Sequence, residues 1–217
     1  MIKSLKPVAR FAATSACLLL AACVTAPQPT EPRSGPQDNF FAALSSHCGK
    51  AYAGKLVSND PADADMRGRA MVMHVRDCSD TRIAVPFHIQ NADGSWDRSR
   101  TWLITRTDAM SGSGLRLKHD HRHEDGSPDA VTMYGGDTAS QGTDRAQDFP
   151  VDAQSIAMFK ANGLAASVTN VWRVEVDPAG GKNPKFAYQL SRANRLFRVE
   201  FDLAAPVAPP PAAWGWD

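Results

Sequence analysis

The chain has 217 residues, of which 43% are apolar and 22% are charged, a composition typical of a globular protein rather than a disordered one. Its 24 basic residues nearly balance its 23 acidic residues, so no strong field favours a nucleic acid as partner. No apolar run reaches about 18 residues, the length that an ordinary membrane-spanning helix requires.

The N-terminus predicts a lipoprotein signal peptide over residues 1–22. Three basic residues precede an apolar run at 11–20, and small residues then lead to Cys23. The sequence Leu-Ala-Ala-Cys, which ends at Cys23, resembles the lipobox of bacterial lipoproteins. The resemblance implies cleavage before Cys23 and acylation of this residue, which would anchor the chain to a membrane. A plain secretory signal, with Cys23 as a bystander, is the alternative.

The residues after Cys23 favour an extended tether and the outer membrane. Residues 23–38 contain four prolines among polar residues, which predicts a flexible linker between lipid and domain. In proteins with this lipobox an Asp after the cysteine favours retention at the inner membrane, whereas here the residue is Val24. We therefore expect an outer-membrane, lipid-anchored protein whose domain faces the periplasm.

The remaining cysteines are expected to form a disulfide. Cys17 leaves with the signal peptide and Cys23 carries the lipid, so Cys48 and Cys78 remain as a pair in an oxidising compartment. Closing this loop of about 30 residues stabilises a fold by roughly 3–4 kcal/mol on the chain-entropy estimate. The alternative is a reactive or metal-binding thiol, since His47 lies beside Cys48.

Two short helices interrupt a chain that is otherwise predicted to be β. The first is expected at about 39–47, where three apolar residues share one face. The second begins after Asp152, a suitable cap, and ends at Gly163. Alternating apolar and polar residues with Asp-Gly turns between them predict about nine strands. These lie at 51–57, 69–76, 81–90, 98–107, 114–123, 129–134, 168–176, 184–191 and 195–203.

The fold class is predicted to be all-β, with an antiparallel meander in one domain at 39–203. A meander hides its edges by closing into an up-and-down barrel, and a β-sandwich of two sheets is the alternative. The strand order resembles the calycin and lipocalin folds, a likeness of fold that implies no function. An Ala/Pro-rich tail follows at 204–217, where Trp214 and Trp216 either pack back on the domain or dock a partner protein.

Three histidines are candidate metal ligands. His119, His121 and His123 alternate along the predicted strand 114–123, on the face that two preceding leucines mark as buried. Residues two apart on a strand lie roughly 6.5–7 Å apart, which lets their imidazoles converge on one ion. Such a set suits Zn²⁺ or another divalent transition metal, with Asp125 as a further ligand or as a partner of the ligands. The alternative is that neighbouring carboxylates and carbonyls satisfy the histidines near the barrel mouth.

The sequence contains no convincing catalytic set. Residues 119–123 read H-D-x-x-H, a near miss of the metalloprotease motif H-E-x-x-H. That chemistry requires both histidines on one face of a helix and a glutamate as base, whereas the apolar residues here follow the period of a strand. No G-x-S-x-G turn and no phosphate-binding loop is present. The sequence therefore favours a binding protein over an enzyme and leaves the question of an enzymatic activity open.

Several short motifs together resemble a group of uncharacterised bacterial secreted proteins and lipoproteins. Besides the lipobox and the cysteine pair, they are KHDHRHEDG at 118–126, YGGDT at 134–138 and FDL at 201–203. No activity is assigned to that group, so the resemblance implies neither a function nor catalytic residues. The expectation is an envelope lipoprotein that binds a small apolar ligand, a lipid or an envelope protein. The alternative is a metal-binding or metal-dependent protein that uses the histidine cluster.

Overall fold

The computed structural model describes residue 1, residues 35–109 and residues 112–216. In this part of the chain eleven antiparallel strands form a nearly closed, barrel-like sheet with few short helices, so the predicted all-β class and barrel are confirmed. The predicted signal peptide, Cys23 and most of the predicted tether lie outside the described residues. Within the described ranges no helix is both long and apolar enough to cross a bilayer.

The strands form a meander whose first and last members pair with each other. They are β1 (Ala51–Leu56), β2 (Met71–His74), β3 (Asp77–Cys78), β4 (Arg82–Gln90), β5 (Trp96–Ala109), β6 (Gly112–His121), β7 (Tyr134–Asp137), β8 (Ala146–Pro150), β9 (Val171–Val176), β10 (Lys185–Arg192) and β11 (Arg195–Val207). Their order around the sheet is β7-β6-β5-β4-β2-β1-β11-β10-β9-β8, and β3 pairs with β4. The sheet is therefore interrupted between β7 and β8.

The helices and strands differ from the prediction in a few places. Helix α1 spans Pro36–Ser45 and helix α2 spans Ala153–Ala161, and 3₁₀ helices occur at Pro61–Met66 and Ala165–Thr169. The strand predicted at 129–134 is wrong, because this segment is a loop and the pairing begins only at β7. The short strands β3 and β8 were not predicted, since neither shows a clear alternation of apolar and polar residues.

Helix α1 packs across one end of the barrel. Proline at its first position and Gly49 beyond its end, with φ of +78°, set its limits. Its apolar residues Phe40, Phe41 and Leu44 are buried in the core, and the helix contacts β6, β8 and β9. The guanidinium carbon of Arg106 lies 4.2 Å from the centre of the Phe41 ring. We call this end of the barrel the closed end.

A disulfide joins the chain after α1 to β3. Cys48 and Cys78 are bonded, with their Cα atoms 6.3 Å apart and 30 positions apart in the chain. The predicted disulfide is thus confirmed, and the alternative of a reactive or metal-binding thiol at these positions is wrong.

The first turn of α2 bridges the interruption between β7 and β8. The N–H of Gly135 donates to Ser155 Oγ at 2.8 Å, and its carbonyl accepts from the N–H of Asp152 at 2.9 Å. Asp152 also caps α2, as predicted, by accepting from the N–H of Ser155 at 2.7 Å. A Cβ added to Gly136 would lie 1.8 Å from the carbonyl oxygen of Pro150. Only glycine therefore lets the two edges approach this closely.

The last residues cross the outer face of the sheet. Strand β11 continues to Val207, four residues further than predicted, and pairs there with the start of β1. The N–H of Trp214 then donates to a carbonyl of β5 at 3.1 Å, and Trp216 Nε1 donates to Asp120 Oδ2 on β6 at 2.8 Å. We call residues 208–216 the C-terminal strap. Its tryptophans pack on the domain, which was the first of the two predicted alternatives.

Candidate functional site

A cavity of about 170 Å³ lies at the end of the barrel opposite α1. The ends of β4, β6 and β10 and the starts of β5, β7 and β11 surround it, together with the 3₁₀ helix that follows β1. Most of the lining is aromatic or aliphatic, with a few polar side chains. The lining residues are Asp63, Met66, Phe87, Ile89, Arg100, Trp102, His119, His121, Tyr134, Tyr188, Leu190, Arg195 and Phe197.

Three stacked rings form the inner wall of the cavity. The ring centres of Trp102 and Tyr188 lie 4.3 Å apart with 13° between the planes, and those of Trp102 and Phe87 lie 4.9 Å apart at 14°. The rings come from strands on opposite sides of the barrel, so the stack crosses the interior and fills it. Aromatic pairs of this kind add about 0.5–1.5 kcal/mol beyond the burial of their surface.

His119 is buried in this wall, with both ring nitrogens hydrogen-bonded. Nδ1 lies 3.0 Å from the carbonyl oxygen of Tyr134, and Nε2 lies 2.7 Å from the hydroxyl of Tyr188. A carbonyl only accepts, so Nδ1 carries the proton of the neutral ring and Nε2 accepts from Tyr188. Burial lowers the pKa of His119 to about 3, which keeps the ring neutral at pH 7.

His121 lies at the outer boundary of the same cavity. Its Nε2 is 3.0 Å from the hydroxyl of Tyr134, whose ring stacks on His119 with the ring centres 4.5 Å apart. Burial, followed by the positive charge of Arg100, lowers the pKa of His121 to about 4. Burial also raises the pKa of Tyr134 to about 12. Both side chains are therefore uncharged at pH 7.

Arg100 brings a positive charge to the cavity. Its Nη1 donates to Asp97 Oδ2 at 2.5 Å. Burial opposes the ionisation of Asp97, but the charge of Arg100 and hydrogen bonds from Ser99 outweigh it, and the pKa of this carboxyl is lowered. Arg100 and His121 also line a groove of about 410 Å³ on the outer side, so they separate the cavity from the groove.

An ion pair holds the 3₁₀ helix Pro61–Met66 over the cavity. The two Nη atoms of Arg195 donate to the two carboxylate oxygens of Asp63 at 2.6 and 2.5 Å, and Asp60 lies 3.1 Å from the same guanidinium. Asp63 is only 2% exposed, and Met66 of this helix lines the cavity. Because both Nη atoms of Arg195 are bonded to Asp63, this arginine holds the 3₁₀ helix in position over the cavity.

The structure brings two of the predicted metal ligands together and leaves two outside. Strand β6 ends at His121, so His119 and His121 line the cavity as the alternation predicted. His123 is exposed in the following loop, where its Nε2 lies 3.9 Å from Asp129 Oδ2. Asp125 is also exposed, and its Oδ1 accepts two hydrogen bonds from within its own turn.

The predicted ligands do not come together as a set of three in the described part of the chain. In residues 35–109 and 112–216 no group of three or more His, Cys, Asp or Glu side chains is placed to hold a metal ion. Both ring nitrogens of His119 already have partners. Binding of Zn²⁺ or another transition metal by the histidine cluster stays a prediction.

Sequence reasoning did not find several residues of the cavity. Arg100 lies opposite His121, and Trp102 lies opposite His119, in the pairing of β5 with β6. The sequence of the hairpin does not determine this register. Tyr188 and Arg195 come from the distant strands β10 and β11, and no local signal links them to the histidines. Comparisons with family models, curated proteins and solved structures find no match to this chain.

Proposed function

We propose that this protein is a bacterial outer-membrane lipoprotein whose periplasm-facing barrel binds a small ligand. The cavity opposite α1 is the observation that supports this proposal, because it combines an apolar, aromatic lining with a few polar groups. Small-molecule sites in proteins have this composition and commonly lie in the mouths of β-barrels. The lipobox and the Cys48–Cys78 disulfide support an envelope location.

The polar groups of the cavity favour binding over turnover. His119 uses both ring nitrogens to hold Tyr134 and Tyr188, so it has no free nitrogen to act as a base. His121 is likewise engaged at Nε2. These bonds fix the tyrosines, and fixed walls reduce the entropy that a ligand loses on binding. We propose a preorganised binding site without covalent chemistry.

The test of ligand binding is a thermal-shift screen with small aromatic and aliphatic fragments. The variant Leu190→Trp places a large ring at the cavity, and Leu196→Trp makes the same change at a position 44% exposed to solvent. A fragment at ten times its Kd stabilises the folded state by about 1.4 kcal/mol. We expect such shifts for the unaltered chain and for Leu196→Trp, but not for Leu190→Trp. The absence of any shift, or an equal shift in Leu190→Trp, would contradict the proposal.

The lipid anchor is tested separately. Labelling of cells with a palmitate analogue should modify the unaltered chain and a Cys17→Ser control, and both should fractionate with the outer membrane. Cys23→Ser should lose the label and the membrane association, because Cys23 is the proposed site of acylation. Label that persists in Cys23→Ser would refute lipidation at this residue.

Metal binding is the second candidate function, because His119 and His121 line one cavity. If it is correct, zinc titration should saturate near one equivalent, and His121→Ala should lower the affinity at least tenfold. An unchanged zinc affinity in His121→Ala would argue strongly against the cluster as a metal site.

A further inference from the structure

The size of the cavity restricts its ligand to about one ring. Its volume is about 170 Å³. An engineered apolar cavity of about 150 Å³ holds a benzene molecule, whereas pockets for drug-sized ligands measure about 300 Å³ or more. The cavity therefore suits a single six-membered ring and is too small for a long acyl chain.

The walls of the cavity favour a planar ring. The rings of Phe87, Trp102 and Tyr188 lie within 14° of parallel in each adjacent pair, so both faces of Trp102 are covered and the stack offers its ring edges to a ligand. Phe197 and Leu190 line the cavity as well. A flat aromatic ligand gains offset-stacked or edge-to-face contacts on such walls, and a puckered ring does not.

Arg100 provides an anchor for an anion at the outer boundary. Only its Nη1 has a partner among the described residues, which is Asp97, so Nε and Nη2 remain available as donors. The other guanidinium in the lining, that of Arg195, uses its Nη atoms on Asp63. A guanidinium with two free donors in one plane matches the two oxygens of a carboxylate.

The same charge disfavours a cationic ligand. Both oxygens of Asp63 are occupied by Arg195, and Asp97 faces Arg100. An ammonium group in the aromatic cavity would therefore meet the positive charge of Arg100 without an unpaired carboxylate to balance it. His121 is neutral at pH 7, and in the tautomer that accepts from Tyr134 its Nδ1–H is a second donor beside Arg100.

We infer that the ligand is a single-ring aromatic carboxylate, with its ring in the cavity and its carboxylate on the guanidinium of Arg100. This inference rests on the proposed ligand-binding function and specifies the chemical class of the ligand. Because Arg100 also lines the outer groove, the carboxylate stays partly hydrated and avoids the full penalty of burying a charge.

Calorimetric titration of the purified full-length chain carrying Cys23→Ser, which prevents acylation, tests the inference with four probes. Benzoate has both the ring and the charge, toluene lacks the charge, cyclohexanecarboxylate lacks the planar ring, and benzylammonium reverses the charge. We expect benzoate to bind with a Kd below about 1 mM, at least tenfold more tightly than cyclohexanecarboxylate and benzylammonium.

Variants of Arg100 identify the anchor. Arg100→Gln should weaken benzoate binding at least tenfold and leave toluene binding within twofold, because toluene makes no contact that requires the guanidinium, although the ion pair with Asp97 is lost as well. Arg116→Gln is the matched control, since Arg116 is an exposed arginine paired with Asp137 on the outer face of the barrel. This control should bind benzoate as the unaltered chain does.

The outcomes separate the ligand class from the proposed function. Tighter binding of toluene or benzylammonium than of benzoate would overturn the aromatic carboxylate while the cavity remained a binding site. The ligand class would also be overturned, and the binding site retained, if Leu190→Trp abolishes the shifts of the fragment screen while benzoate does not bind to the unaltered chain. Failure of all four probes together with a fragment screen that shows no shift would overturn both proposals.

Discussion

Acidification from pH 7.5 to pH 5 should destabilise the protein strongly, because burial keeps several histidines neutral in the folded state, and the largest shifts are those of His88, His119 and His121. Burial is the largest cause in each case and lowers the pKa of His88 and His121 to about 4 and that of His119 to about 3. The unfolded chain binds a proton at each of these residues with a pKa near 6.5. Unfolding therefore takes up protons between pH 6.5 and pH 4, and stability falls as the pH is lowered through this range.

The expected loss follows from the difference between the two pKa values. At pH 5 an unfolded histidine is almost fully protonated while the folded residue is not, which gives about 2 kcal/mol per histidine and about 6 kcal/mol for three. This is a large part of the stability of an ordinary domain, about 5–15 kcal/mol. The carboxyl groups with lowered pKa, such as Asp97 and Asp152, titrate below pH 5 and so contribute little to this loss.

His88 and His119 provide a matched pair of substitutions. Neither ring nitrogen of His88 has a hydrogen-bond partner among the described residues, although the side chain is fully buried on the outer face of β4. His88→Leu removes two unsatisfied polar atoms and should leave stability at pH 7.5 unchanged or raise it by about 1–3 kcal/mol. His119→Leu leaves the carbonyl of Tyr134 and the hydroxyl of Tyr188 without their partner, and should destabilise by a similar amount.

Urea unfolding followed by far-ultraviolet circular dichroism at half-unit pH steps measures these effects. The free energy of unfolding should fall by at least about 6 kcal/mol for the unaltered chain, because His47 and His74 also have lowered pKa values, and by about 2 kcal/mol less for each single variant, since each removes one titrating histidine. A free energy that stays constant between pH 7.5 and pH 5 would refute the argument. A variant His88→Leu that retained the full pH dependence would refute the role of this residue.

Three further predictions concern the barrel itself. Replacing Cys48 and Cys78 by Ser should lower the free energy of unfolding by about 3–4 kcal/mol, measured by urea titration without reductant. Gly136→Ala should lower the melting temperature markedly through its overlap with β8, whereas Gly181→Ala, whose nearest contact is 3.4 Å, should change it little. Trp216→Phe should destabilise by about 1–3 kcal/mol and free the C-terminal strap for proteolysis, because it removes an N–H bonded to a buried carboxylate.

Most of the fold was predictable because its signals are local. The long strands β4, β5, β10 and β11 show alternation, and the turn at Gly94 has the positive φ that Asp-Gly hairpins require. The second helix was predicted from its cap, Asp152, and its end, Gly163. Strand β7 was misplaced by five residues because it is short and begins with a tyrosine and two glycines. Its position depends on the approach of β8 and α2, which are distant in the sequence.

The candidate site was predictable only on one strand. The alternation placed His119 and His121 toward the cavity, but the predicted strand 114–123 extends too far, because β6 ends at His121 and His123 lies exposed in the loop. The end of this strand is set by its partners in β5 and in the loop before β7, which the local pattern does not contain. Tyr188 bonds to His119, and the charge of Arg100 lowers the pKa of His121, but both residues come from other strands. The local sequence therefore could not show that the histidines bond to tyrosines rather than to a metal ion.

The closure of the barrel and the shape of the cavity depend on the same residues. The carbonyl of Tyr134 fixes His119 and its hydroxyl fixes His121, and the next residue, Gly135, is bonded to the first turn of α2. A change at the interruption between β7 and β8 should therefore move Tyr134 and disturb the cavity. We expect Gly136→Ala to weaken ligand binding at least tenfold at a temperature where the protein remains folded. The variant without the disulfide, which lies at the closed end, should bind ligand normally despite a comparable loss of stability. Equal affinities in the two variants would show that closure and cavity are independent.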